Sequence, residues 1–322
     1  MDDLRSLIEG SDLNGLVRRI DGLVAARDWD ALVELRDACI EAVDRGKQLW
    51  GVAQFTEYRL ALDAPASYAG RVVKEGAGRF ALGPLWEVAA STHTWRELAG
   101  EVADERLRTL AAHERALRGE AVPASDVDPH VLEVPIEIQQ WEPRYNLASY
   151  RSDRADFPER ELPNLEWSDL PDPVARQPED DGLEALLALT EPWTNQSNGR
   201  AEGVVVAGTA EQAIRTLGPH RVRITEVEPA DAIALMAWTG ASGGAYGRRR
   251  GSPVGRMLAW WALAGVLGLD EIDDPDLLGE EAASLRWILW DPGDQIGGWG
   301  FYLAIEDRDD GLAWAVSATD AI

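Results

Sequence analysis

The run Thr239-Gly-Ala-Ser-Gly-Gly-Ala-Tyr-Gly-Arg-Arg-Arg-Gly-Ser-Pro-Val-Gly-Arg256 concentrates the residue types best suited to hold an anion. Its glycines let backbone N–H groups come close to a ligand. Ser252 and Pro253 mark a helix start, where N–H groups point outward and the helix dipole favours negative charge. Arg248, Arg249, Arg250 and Arg256 add fork-shaped donors that match phosphate or carboxylate. Arg248, Arg249, Arg250, Ser252 and Arg256 are therefore the candidate anion-binding residues. The competing reading is internal. In a chain of formal charge −26, arginines meet the protein's own carboxylates, and a Gly- and Ala-rich stretch lets helices pack closely. Arginines facing solvent without nearby acids would favour the ligand. Arginines capped by Asp or Glu would favour the scaffold.

Other chemistries fit less well. Gly240-Ala-Ser242-Gly-Gly244 has the G-x-S-x-G form of a nucleophile elbow. That elbow needs a strand before it, a helix after it and then an acid and a histidine. The four histidines, His93, His113, His130 and His220, all precede Ser242, so the base this chemistry requires is missing in the expected order. No catalytic residue is assigned. There is no H-E-x-x-H and no Cys or His pairing at ligand spacing, and His113-Glu114 reads as a surface pair. The acidic groups Asp291–Asp294 and Asp307–Asp310 lack the ordered spacing of a calcium loop, and Asp and Gly are what turns demand. No metal and no cofactor is expected. Neither lysine follows a glycine run of Walker A form, and Gly243-Gly244-x-x-Gly247 is not a dinucleotide fingerprint.

Charge and composition narrow the partners. A charge of −26 repels DNA, RNA and anionic lipid over a Debye length. No nucleic acid and no membrane partner is expected. The longest apolar run, Met257 to Leu269, is shorter than the ~20 residues a spanning helix needs. The start of the chain carries no apolar signal region. Cys39 is the one cysteine, so a disulfide within the chain is impossible, and a reducing cytoplasm is the expected location. It falls on a helix's apolar side and reads as a packed thiol. Lysine is confined to Lys47 and Lys74, which together with high Ala and Gly reflects a GC-rich genome.

Three segments must position these groups. Residues 1–118 read as helices only. Leu13, Leu16, Val17, Ile20, Leu23 and Val24 follow the 3.6-residue spacing, with Asp12 or Ser11 as cap. Asp28 starts a second helix through Leu32, Leu35, Cys39 and Val43, and Gly46 ends it. A third spans about Gln48 to Leu62. Pro84, Thr94 and Asp104 open three more, the last ending at Gly119. Short antiparallel helices resemble a HEAT-like or tetratricopeptide-like array in style, although no repeat period is found. Residues 119–182 hold nine of the seventeen prolines and read as an extended strap. Leu132, Val134, Ile136 and Ile138 suggest one short edge strand around Pro135, and Trp141, Tyr145, Tyr150, Phe157 and Trp167 suggest docking by aromatics.

Residues 183–322 mix the two periods. Strands are expected at Val204–Ala207, Arg221–Val227 and Leu285–Trp290, and helices at Ala210–Leu217, from Pro229 and from Pro253. Trp299–Glu306 and Leu312–Ser317 form a hairpin about Asp309-Asp310-Gly311. Trp299, Phe301, Leu303 and Ile305 share one face with Leu312, Trp314 and Val316. The fold class is α+β: a helical array plus a Trp-rich domain with a mainly antiparallel sheet. Seven of fourteen tryptophans lie between Trp238 and Trp314, and Trp260-Trp261 sit at core spacing in a helix. Ser242-Gly-Gly-Ala-Tyr-Gly-Arg-Arg-Arg-Gly, Ala259-Trp-Trp-Ala262 and Trp290-Asp-Pro-Gly-Asp-Gln-Ile-Gly-Gly-Trp-Gly-Phe301 resemble uncharacterised proteins of GC-rich actinobacteria. The resemblance implies a shared fold and no assigned activity. These readings point to a non-catalytic cytoplasmic interaction or scaffold protein with a protein partner. The alternative is a domain that binds, or acts on, a small phosphate- or carboxylate-bearing ligand at segment 240–256.

Overall fold

The computed structural model describes residues 2–78, 81–158, 163–293 and 298–321. The fold is α+β, with fourteen α-helices among the described residues and one six-stranded antiparallel sheet. The chain divides into two compact units, one of Met1–Val131 with Ala148–Phe157 and one of Leu132–Leu147 with Pro158–Ile322. The proline-rich stretch is thus shared between them.

The first unit holds α1 (Asp2–Glu9), α2 (Leu13–Ala26), α3 (Trp29–Asp44), α4 (Trp50–Asp63), α5 (Ala66–Val72), α6 (Leu85–Thr92), α7 (Trp95–Leu98) and α8 (Glu105–Leu117). Caps set these boundaries. Asp12 accepts from the Gly15 N–H at 2.9 Å, and Asp104 accepts from the Leu107 N–H at 2.9 Å. Thr94 and Glu97 close a reciprocal capping box on α7. Leu16, Ile20, Leu32, Leu35 and Cys39 are fully buried, and burial pushes the Cys39 thiol up to about 11, so it stays a packed thiol. His113 and Glu114 are buried, not a surface pair as expected, because α8 turns this face inward. Glu114 meets Arg118 one turn later at 2.7 Å. A two-stranded ribbon, β1 (Ser149–Tyr150) with β2 (Ala155–Asp156), completes the unit, and the Tyr150 hydroxyl donates to Glu87 at 2.7 Å.

The second unit is built on the sheet, in the order β3 (Glu166–Asp169), β5 (Arg221–Val227), β6 (Arg286–Asp291), β7 (Gly298–Asp307), β8 (Leu312–Ala321), β4 (Arg200–Ala207). One face carries Val204, Val206, Val222, Ile288, Ala304, Ala313 and Ala315 and packs on α11 (Ala210–Leu217) through Ala213 and Ile214. The other carries Trp287, Leu289, Phe301, Leu303, Ile305, Trp314 and Val316, under α9 (Asp181–Ala188) and α12 (Pro229–Ala241). Alternation along each strand supplies both apolar faces. The β7–β8 hairpin sets Ile305 opposite Trp314 and Leu303 opposite Val316, and Gly311 takes the left-handed turn position at φ +67°. Trp314 donates its indole N–H to Asp180, which also caps α9. Helix α10 (Glu191–Asn195) follows α9. Helix α13 (Ser252–Val266) packs on α9 and α12, with α14 (Pro275–Ser284) against it.

The edge strand expected around Pro135 is absent. Residues 131–140 form turns and bends, although Leu132, Val134 and Ile136 are buried. Proline brings no N–H to a ladder, and the carbonyls of Pro135 and Glu137 accept from a side chain of α13 instead.

Candidate functional site

The Gly/Arg run joins α12 to α13, and the close approach of these helices places it. A side chain at Gly255 would overlap the Ala237 carbonyl, so the helices cross nearly backbone to backbone there. Ser242 follows the last turn of a helix, not a strand, so the elbow geometry of a serine nucleophile is not built. Its hydroxyl oxygen accepts from the Gly244 N–H at 2.9 Å.

The loop's N–H groups meet this chain's own groups. The Ala245 N–H donates to the Asp320 carboxylate at 2.6 Å, Tyr246 to Ser197 at 3.2 Å and Arg248 to Gln196 at 3.1 Å. Gly244, at φ +68°, lies so close to Asp320 that any side chain there would overlap the carboxylate.

The arginines divide by depth. Arg256 is 1% exposed and grips Glu142 with two parallel bonds of 2.7 Å. Its remaining donors reach the carbonyls of Pro135 (2.6 Å) and Glu137 (3.2 Å). Glu142 also receives the Tyr145 hydroxyl and the Trp260 indole N–H, and Trp260 lies under the guanidinium at 5.1 Å. Burial pushes the Glu142 carboxyl up, but the hydrogen-bonded guanidinium more than offsets it and holds the carboxyl below its ordinary range. Burial, and then the Glu142 charge, push the Tyr145 phenol well above its ordinary value. Arg250 reaches Glu191 at 2.6 Å and the Ala188 carbonyl at 3.2 Å; burial lowers its pKa against the pull of Glu191. Arg249 donates to the Ser252 hydroxyl at 3.1 Å. Arg248 is exposed, as is Tyr246 at 60%.

The run alone does not reveal these acids. Glu142, Glu191 and Asp320 lie far from it in sequence. One local signal was available: Arg256 stands four residues before Trp260 on an apolar helix, and a buried arginine demands a buried acid.

The remaining acidic groups are turns and pairs. Asp307 accepts from the N–H groups of Asp309 (2.9 Å) and Asp310 (3.1 Å). Asp291 pairs with Arg223 at 2.6 Å, and Asp294 lies outside the described residues. No group of acidic, histidine or cysteine side chains able to hold a metal occurs among the described residues. No described helix is long and apolar enough to cross a membrane.

A model described as "Family of unknown function (DUF6183)" matches residues 14–320. The chain belongs to this family. The DUF6183 match spans both compact units and the whole Gly/Arg run. No curated protein and no solved structure matches this DUF6183 chain.

Proposed function

We propose that this DUF6183 protein is a non-catalytic cytoplasmic interaction protein. The observation that carries the reading is the Arg256–Glu142 grip, in which the innermost donor of the run is occupied by an acid of its own unit. The Glu191 pairing of Arg250 and the Asp320 pairing of the loop N–H support it in the same way. A second support is Trp167 on edge strand β3. It is 52% exposed, with the Arg221 and Arg223 guanidinium groups 5.3 and 6.0 Å from its ring. Tryptophan and arginine are the residues that most often carry interface binding energy.

The reading is tested by thermal unfolding with sulfate, phosphate, nucleotides and sugar phosphates at fixed ionic strength. An open anion site would raise stability by about 2.7 kcal/mol at a hundredfold excess over Kd. The expected result is no specific shift. An anion that stabilises the wild type but not Arg249→Ala with Arg250→Ala would overturn the reading in favour of a ligand at segment 240–256. The positive arm compares proteins cross-linked to the wild type and to Trp167→Ser in cells. A partner that the variant loses is expected.

A further inference from the structure

Buried polar atoms in this protein have partners with few exceptions, and two of the exceptions lie together. Asp320 is 1% exposed, and its Oδ2 takes the Ala245 N–H, but its Oδ1 has no hydrogen-bond partner. No Arg, Lys or His among the described residues forms an ion pair with it. Trp193 is fully buried, and its indole N–H has no partner either. The indoles of Trp95, Trp141, Trp260, Trp287 and Trp314 all donate to an acid or a carbonyl. An unmatched carboxylate oxygen in a dry site is costly, and such an exception calls for an occupant.

The surroundings say which occupant. Strand register sets Trp299 directly opposite Asp320, so their side chains share a sheet face. Trp193 tilts toward Trp299 with ring centres 6.4 Å apart, and Trp238 stacks on the same ring at 5.0 Å. Both Asp320 and Trp193 lie directly under Gly244, whose lack of a side chain lets the loop close over them. A carboxylate with one indole opposite it in the ladder and a second at the same glycine is an environment that favours a cation, because ring faces attract positive charge and the carboxylate pairs it. Trp193 adds a donor that an oxygen of the same ligand can satisfy.

We propose that the Asp320–Trp193–Trp238–Trp299 corner binds an ammonium group that carries an oxygen acceptor close by. The ammonium pairs with Asp320 Oδ1 and lies against the indoles, while the oxygen accepts from Trp193 Nε1. A free amino alcohol offers this chemistry, and so does the N-terminal residue of a peptide. Ligand entry requires the segment Gly243–Gly247 to move aside, and the exposed Tyr246 marks its outer side. The site shares the Gly243–Gly247 loop with the run but uses none of its arginines, so its failure would leave the Arg256–Glu142 grip and the interaction reading standing.

The test is calorimetric titration of the full chain, read in parallel by tryptophan fluorescence. The probes are ethanolamine, glycinamide, tetramethylammonium, acetate as the anion control, and one short peptide with free or acetylated N-terminus. Ethanolamine and glycinamide should bind at least tenfold more tightly than tetramethylammonium, which lacks the oxygen, and acetate should not bind. Asp320→Asn, which keeps an acceptor for Ala245, should weaken both at least tenfold. Trp299→Phe, which keeps a ring, should weaken them less. Free peptide binding more tightly than ethanolamine, and lost on acetylation, assigns the source as a protein terminus; the reverse order assigns a free amine. The proposal falls if no probe binds the wild type, or if Asp320→Asn, shown folded by its unfolding curve, binds as well as wild type. In that case a bridging water accounts for the two atoms.

Discussion

Glu142 and Asp320 are both buried carboxylates of the second unit, and their surroundings are opposite. Glu142 receives two guanidinium bonds, a phenol, an indole and the Gln139 N–H. Asp320 receives one backbone N–H and keeps one oxygen unmatched. The difference separates two uses of burial. A fully satisfied charge fixes the fold: it ties residues 135–142 to α13 at one address. A half-satisfied charge is a standing cost that the rest of the unit must carry, and such costs gather where a ligand completes the set.

The largest test of this contrast removes the cation from the satisfied site. Arg256→Ala leaves Glu142 buried without its counter-charge, and breaking a buried pair from one side costs about 3–5 kcal/mol. Urea unfolding followed by intrinsic tryptophan fluorescence should show that loss. A variant within 1 kcal/mol of wild type would mean the pair is not what holds residues 135–142. Replacing both partners by Met and Leu should recover much of the loss, because the cost lies in the uncompensated charge and not in the absent bond.

The next effect is on pH. The folded Glu142 carboxyl lies below its unfolded value, so its stabilisation is fully present above about pH 4.3, the ordinary Glu value. That stabilisation is lost as pH falls through the folded pKa. Glu97, Glu120 and Glu211 are lowered too and give a shared acid limb. The informative quantity is therefore the difference between wild type and Glu142→Gln, which should shrink as pH falls through the range below about 4.3, the ordinary Glu value. A difference that stays constant across that range would show that the charge on Glu142 carries none of the pair's stability.

A smaller effect is expected at the rim. Arg250 reaches an exposed acid, Glu191, at 2.6 Å. Exposed ion pairs contribute about 0–1 kcal/mol, and the Ala188 carbonyl adds one further bond. Arg250→Ala should therefore cost about 1 kcal/mol by urea unfolding. A loss as large as that of Arg256→Ala would make the whole run, not only its innermost residue, part of the clasp.

Elements with a local cause could be read from sequence. Helix caps at Asp12, Asp28 and Asp104 were legible, as were α11 and β5 and the β7–β8 hairpin with its shared face, because each follows from residues a few positions apart. The candidate arginines were legible as a group, but not by depth. Depth depends on Glu142, more than a hundred residues from Arg256 in sequence, and on Glu191, Asp320 and the folding of Pro135 away from any ladder. The alternation of Leu132, Val134 and Ile136 suggested a strand because it records burial. Burial came here without strand pairing, since a proline and a guanidinium took the place of a neighbouring strand.

The smallest and most discriminating prediction makes the same change at both carboxylates. Glu142→Gln removes a charge that Arg256 needs, so it should destabilise. Asp320→Asn removes a charge that no cation matches. Its amide oxygen can still accept from the Ala245 N–H, and its NH2 group takes the place of the unmatched Oδ1. An unpaired neutral donor costs less to bury than an unpaired charged acceptor. Asp320→Asn should therefore leave the unliganded protein unchanged or raise its stability by a few tenths of a kcal/mol, on the order of the gains seen when such a penalty is relieved. Urea unfolding of the two variants side by side at pH 7 gives the comparison directly. Opposite signs mean that one carboxylate holds the fold and the other is held in spite of its cost. Equal losses would mean that Asp320 has a counter-charge in solution, and the contrast between the two sites would collapse.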